Sequence, residues 1–173
     1  VKWLCARAVE VLLNLRLATR PEDRALITEA LGLVAPEAWS EQVELALAEE
    51  LGNPASQFAA ANALYGTGVR GLFKCVESLT ALAQVAISGP ALAADQATLA
   101  LTSFLPRAGA LPVRQLLLKV LEGGPERTRA KVAESLGWWP SEAGEGLLSL
   151  CLEDASPTVQ AAAKAARARL SSR

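Results

Sequence analysis

Residues 147–170, LLSLCLEDASPTVQAAAKAARARL, restrict the chain to a narrow set of folds. An apolar run gives way to the break Asp154-Ala155-Ser156-Pro157, and a second run with helical period follows. Pro157 suits the first helical position, where its missing N–H is no loss. Ser156 is placed to cap the same helix by accepting from a backbone N–H. Val159, Ala162, Ala163, Ala166 and Leu170 then share one apolar face, and Gln160, Lys164, Arg167 and Ser171 a polar one. The alanines permit close helix approach. Residues 147–152 are almost wholly apolar and are expected to pack on both sides. Two antiparallel helices of this kind cannot bury their faces alone, so neighbours of the same kind are required.

The rest of the chain repeats the pattern. Alanine and leucine dominate, both favour helix, and no alternating segment of strand length occurs, so the fold class is all-α. Proline and glycine punctuation divides the sequence into ten helical runs: 2–18, 21–33, 39–51, 54–65, 72–87, 91–105, 112–121, 125–139, 142–152 and the run from 157. Gly66, Gly68 and Gly71 are read as a flexible turn, and 106–109 as another. Ten runs make about five pairs. Leu31, Leu64, Leu101 and Leu136 recur at comparable places in the second run of each pair; the fifth place falls on Arg167. The steps, 31 to 37 residues, are those of short helix-pair repeats. Glu29-Ala30-Leu31-Gly32 and Glu134-Ser135-Leu136-Gly137 are near copies.

Composition narrows the chemistry. The formal net charge is −1, so binding to nucleic acid by bulk electrostatics is not expected. The chain has no His, which removes the commonest general base and metal ligand. Cys5, Cys75 and Cys151 are odd in number, far apart and without a CxxC pair, which favours a reduced, cytoplasmic setting with the three thiols buried as small apolar groups. No apolar run reaches the roughly 18 residues of a membrane span. Glu49-Glu50 and Glu153-Asp154 are paired carboxylates without a nucleophile–base partner, and they read as helix-end surface groups. Gly66 to Gly71 lacks the strand and Lys-Ser/Thr ending of a phosphate-cradling loop. No catalytic residue, cofactor or metal site is expected. Residues 1–173 are read as one domain; the chain opens on Val1 and holds no Met, so a piece of a longer protein is one reading.

Two aromatic places stand out. Ser56, Ala60, Ala63 and Leu64 make a core stripe, which leaves Phe58, Asn62 and Tyr65 together on another face at helical spacing. An aromatic, an amide and the one Tyr suit a protein-binding spot, or else packing against an adjoining repeat. In Trp138-Trp139, Trp139 continues the apolar stripe of Thr128, Val132 and Leu136. Trp138 continues the charged stripe of Arg127, Lys131 and Glu134, and is expected to be partly exposed, as an anchor or as a lid on the last turn.

Asp154-Ala155-Ser156-Pro157-Thr158-Val159-Gln160 with its alanine run, and the Ala-Leu-Gly endings, resemble HEAT repeats, and within them the short repeats of phycobilisome lyases. The resemblance covers most of the chain, strongly in the last two pairs and poorly around 72–105. It implies a right-handed α-α superhelix, HEAT/armadillo-like, whose second helices line a concave face. HEAT repeats usually carry Val-Arg where this chain has Val159-Gln160, Thr128-Arg129 and Asp23-Arg24. That places Arg24 and Arg129 beside Phe58, Asn62, Tyr65 and Trp138 as candidate partner-binding residues. The implied function is a non-enzymatic scaffold for a protein or peptide partner. Nucleic-acid handling of the HEAT-like DNA-glycosylase type, and a bilin lyase or chaperone of phycobiliproteins, are the alternatives.

Overall fold

A computed structural model describes residues 4–106 and 110–172. Among them ten α-helices form: α1 Ala6–Ala18, α2 Ala25–Leu31, α3 Glu41–Glu50, α4 Gln57–Arg70, α5 Val76–Ser88, α6 Ala91–Ser103, α7 Ala110–Gly123, α8 Glu126–Leu136, α9 Glu142–Leu152 and α10 Pro157–Ser171. Short 3-10 turns at Pro21–Asp23 and Pro36–Ala38 precede α2 and α3. The one extended pairing among the described residues is an isolated bridge between Leu4 and Val34.

The helices pack in two sets. Each odd-numbered helix rests on the next odd one, and each even-numbered helix on the next even one. Consecutive members of α1/α2, α3/α4, α5/α6, α7/α8 and α9/α10 also touch. Between the sets runs one aliphatic core. Leu31, Leu64 and Leu101 are fully buried and Leu136 is 1% exposed. At the fifth place Arg167 is exposed and the adjacent Ala166 is buried in its stead. The near-copied endings also act alike. A Cβ on Gly32 would press on Ala63, and one on Gly137 on Ala166. Each glycine therefore lets an even helix end close against the next even helix.

Local chemistry sets the helix ends. Ser40 accepts from Val43 N, Ser141 from Gly144 N, and Ser156 from Thr158 N and Val159 N. Several ends differ from the sequence expectation. The first helix starts at Ala6, Cys5 is exposed rather than buried, and Trp3 lies outside the described residues. The second run is tightened in its first turn to the 3-10 segment Pro21–Asp23. Residues 53–56 form a turn, with Asn53 Oδ1 accepting from Ala55 N, so α4 begins after Pro54.

The largest correction concerns Gly66 and Gly68. They lie inside α4, which runs on to Arg70 and is closed by Gly71 at φ 73°. A Cβ on Gly68 would overlap Ser103 Oγ, so that glycine is where α4 and α6 meet. In α9 one side alone is buried: Leu147, Leu148 and Cys151 face inward while Leu150 is 46% exposed. Of the expected turn at 106–109, residues 107–109 lie outside the described residues.

Candidate partner-binding face

The first turn of an even helix must be joined to the turn before it. In four of the five a side chain does this by donating to an upstream backbone carbonyl. Arg24 Nε bonds Thr19 O at 2.9 Å, Gln57 Nε2 bonds Leu51 O at 2.6 Å, Arg129 Nη1 bonds Gly124 O at 3.1 Å, and Gln160 Nε2 bonds Asp154 O at 2.7 Å. Arg24 and Arg129 each reach a carboxylate as well: Arg24 the Glu50 group at 3.3 Å, and Arg129 the Asp154 group through Nε and Nη2. Both guanidiniums are mostly covered and bonded within the chain. The structure does not bring them to the α4 aromatic cluster.

Phe58, Asn62 and Tyr65 do share a stripe on α4, and Val69 extends it. Phe58 is 50% exposed, while Tyr65 is half-buried and packs on the core. Gln96 Nε2 of α6 donates to Asn62 Oδ1 at 3.0 Å, which fixes the amide and turns its NH2 group outward. Between α2 and α4 lies a groove of about 610 Å³, lined by Glu29, Leu33, Asn62, Tyr65, Val69 and Arg70 among others. Arg70 closes one end. It donates to Gly66 O, Val34 O and Gly32 O and sits over the Trp39 ring, and burial lowers its pKa below the usual arginine value. The groove thus offers aliphatic walls, an amide, a phenol and the exposed Glu29 carboxylate.

Two even helices further along, the surface changes character. Arg127 of α8 forms a two-bond pair with Asp95 of α6, which raises the Arg127 pKa. Lys131 pairs with Glu134 at 3.0 Å. Trp138 is 48% exposed, as its place in the charged stripe implies. Arg169 of α10 lies 4.0 Å from the Trp138 ring centroid and donates to Glu134 O. Trp139 is half-buried.

Sequence reasoning missed two buried carboxylates. Glu44 of α3 is fully buried and accepts from Trp39 Nε1, Ser78 Oγ and the Lys74 and Cys75 amides, so it caps α5 from outside that helix. Glu50, read as a surface group, is 1% exposed and accepts from Arg16, Arg24, Asn53 and Ser56. The available signal was polar residues inside apolar stripes: Glu44 beside Val43 and Leu47, and Arg16 in line with Val9 and Leu12. Burial pushes the Cys151 thiol up to about 12 and raises that of Cys75 as well. No group of three or more His, Cys, Asp or Glu side chains able to hold a metal ion occurs among the described residues, and no helix among them is long and apolar enough to cross a membrane. No protein-family model, curated protein or solved structure matches the chain.

Proposed function

We propose that the chain is a HEAT-like, right-handed α-α superhelix that docks a protein or peptide along the face of its even-numbered helices, as a non-enzymatic scaffold in the cytoplasm. Odd-on-odd and even-on-even packing supports the architecture, as do the matched Leu31-Gly32 and Leu136-Gly137 contacts. Three unpaired cysteines support the reducing compartment.

The observation that carries the docking reading is the α4 stripe beside the groove. It places an exposed Phe, a held amide and a Tyr next to aliphatic walls, the mixture that anchors protein partners. Further along the same layer, Arg127 is held by Asp95, Lys131 by Glu134, and Arg169 by the Trp138 ring. A nucleic-acid surface needs cations available to phosphates; Lys164 and Arg167 of α10 stand exposed outside these pairs, so the preference for polypeptide rests on the pairing together with the net charge of −1.

The test is selection from a displayed peptide library against the immobilised chain. Selected peptides should bind Phe58→Ala/Tyr65→Phe at least about tenfold more weakly, with the melting curve little changed, because anchors of this kind contribute about 1–2 kcal/mol each. Equal binding to both chains would move the site elsewhere. A steep loss of oligonucleotide binding with salt would instead revive the nucleic-acid alternative.

A further inference from the structure

Helix α1 carries two apolar stripes. Val9, Leu12 and Leu13 pack inward with Arg16. Ala8, Val11, Leu15 and Ala18 recur at alternating three- and four-residue steps, the spacing of helices that pack side by side. Among the described residues nothing covers the outer part of this second stripe: Val11 is 59% exposed and Leu15 48%. On the same side lies a groove of about 480 Å³, lined by Leu4, Cys5, Arg7, Ala8, Val11, the edge of Leu12 and, from α2, Ala30. No residue of α3 or of any later helix lines it. Leu26 shares a helix face with Ala30 and is 77% exposed.

The other end of the two layers is different. Its groove, between α9 and α10, is lined by Glu142, Glu145, Ser149, Arg167 and Ser171 together with Leu148 and Leu170, and is more polar than apolar. The outer side of α10 shows Ala161, Lys164, Ala165 and Ala168. That side of α10 exposes no large apolar side chain, which is nearer to the polar outer face that a terminal helix pair needs. The α1/α2 end has the composition of an internal face.

We propose that a second copy of this chain covers the α1/α2 end, with the two α1 helices antiparallel about a two-fold axis. Head-to-tail stacking would set the Val11–Leu15 seam on Glu142, Glu145 and Arg167, which would lose water without gaining partners, and would continue into an open filament. A two-fold contact lays apolar seam on apolar seam. It also brings Arg7 of one copy to the Glu10 and Asn14 side of the other. These three flanking residues are exposed, and Arg7 and Glu10 enter no ion pair among the described residues. Opposite charges therefore meet on both flanks of the axis. The end face is about 20 Å long over α1 and about 10 Å over α2, from a rise of about 1.5 Å per residue, with helices about 10 Å wide. That is below the size of a standard stable interface, so the dimer is weak and forms reversibly with concentration.

Sedimentation equilibrium from about 1 to about 500 µM tests it across the affinity range of small interfaces. The weight-average mass should rise from 18.1 kDa towards twice that value. Val11→Glu/Leu15→Glu should stay at 18.1 kDa throughout, with unchanged helicity and melting, since both sites are exposed. Should that variant lose helicity, Leu26→Glu on α2 is read in the same way. Alkylation of Cys5, the one exposed thiol among the described residues, should slow as the concentration of the native chain rises. A chain that stays monomeric at every concentration overturns the proposal, and so does a dimer that survives the end-face substitutions.

Discussion

Two arginine–carboxylate links in this molecule serve the same purpose in different surroundings. In the first half, Arg24 bonds Thr19 O behind it and Glu50 ahead, tying α2 to the turn of the next pair. In the second half, Arg129 bonds Gly124 O behind it and Asp154 ahead, tying α8 to the turn before α10. Glu50 is closed off from water and also holds the buried Arg16, Asn53 and Ser56. Asp154 is partly wet, with side-chain exposures of 22% for Arg129 and 13% for itself, and also accepts from Ser156 N. The comparison separates the geometry of a link from the dielectric around it. A shared position along the chain does not imply a shared energy.

Removing Glu50 should have the largest effect. Glu50→Ala strips Arg16, itself 5% exposed, of its buried counter-charge and leaves it the exposed Glu49 carboxylate and Ala46 O; loss of one partner from a buried pair costs up to about 3–5 kcal/mol, and Glu49 keeps this loss towards the lower end. Asp154→Ala should cost less, about 1–2 kcal/mol, because water reaches the freed Arg129. Denaturant melts of both variants check the order, and equal losses would break the comparison.

Acid sharpens it. Burial alone would raise the Glu50 pKa, but the hydrogen bonds from Ser56 and Asn53 and the charge of Arg16 outweigh that and hold it below its ordinary value. The hydrogen bond from Arg129 does the same for Asp154. A carboxyl whose folded pKa is lowered adds stability that is complete above its unfolded value, at about pH 4, and is lost as pH falls through the folded value. The native chain should therefore lose stability on acidification below about pH 5. Glu50→Gln should flatten that acid limb more than Asp154→Asn does, as read by thermal midpoints across pH.

The helix pairing and the core leucines were legible because their signals are local. Pro157 and Ser156 start α10 where the sequence places them, and Leu31, Leu64, Leu101 and Leu136 are buried at the recurring place. The misses arise from contacts distant in sequence. Gly66 and Gly68 lower helix propensity, yet α4 continues through them because Gly68 admits Ser103 of α6. Glu44 and Glu50 look like surface carboxylates until partners some thirty residues away are in place: Ser78 for Glu44 and Arg16 for Glu50. At the candidate face, the exposure of Phe58 and Trp138 followed from stripe arithmetic. The use of Arg24 and Arg129 inside the chain did not, since an arginine that fastens a turn and one that grips a partner read alike in one sequence.

Each half also holds an arginine over a tryptophan, and this contrast is the finest. Trp39 is 5% exposed, with Arg70 at 5.6 Å and Nε1 donating to Glu44. Trp138 is 48% exposed, with Arg169 at 4.0 Å. The nearer pair should be the weaker contributor, because water competes for both faces of the exposed ring; exposed pairs of this type are worth about 0.5–1 kcal/mol. A double-mutant cycle on Trp138→Ala and Arg169→Ala should return a coupling of that size. If the coupling appears and peptide binding is unchanged, Trp138 is a lid that fastens the end of α8 to α10. If the coupling is absent and binding falls, the ring belongs to the docking face, which then runs from the α4 stripe across α6 to α8. Trp39 admits no such alternative, since its ring is already enclosed and its N–H already committed to Glu44. Exposure, rather than the presence of an arginine partner, is what leaves a tryptophan available to a second molecule.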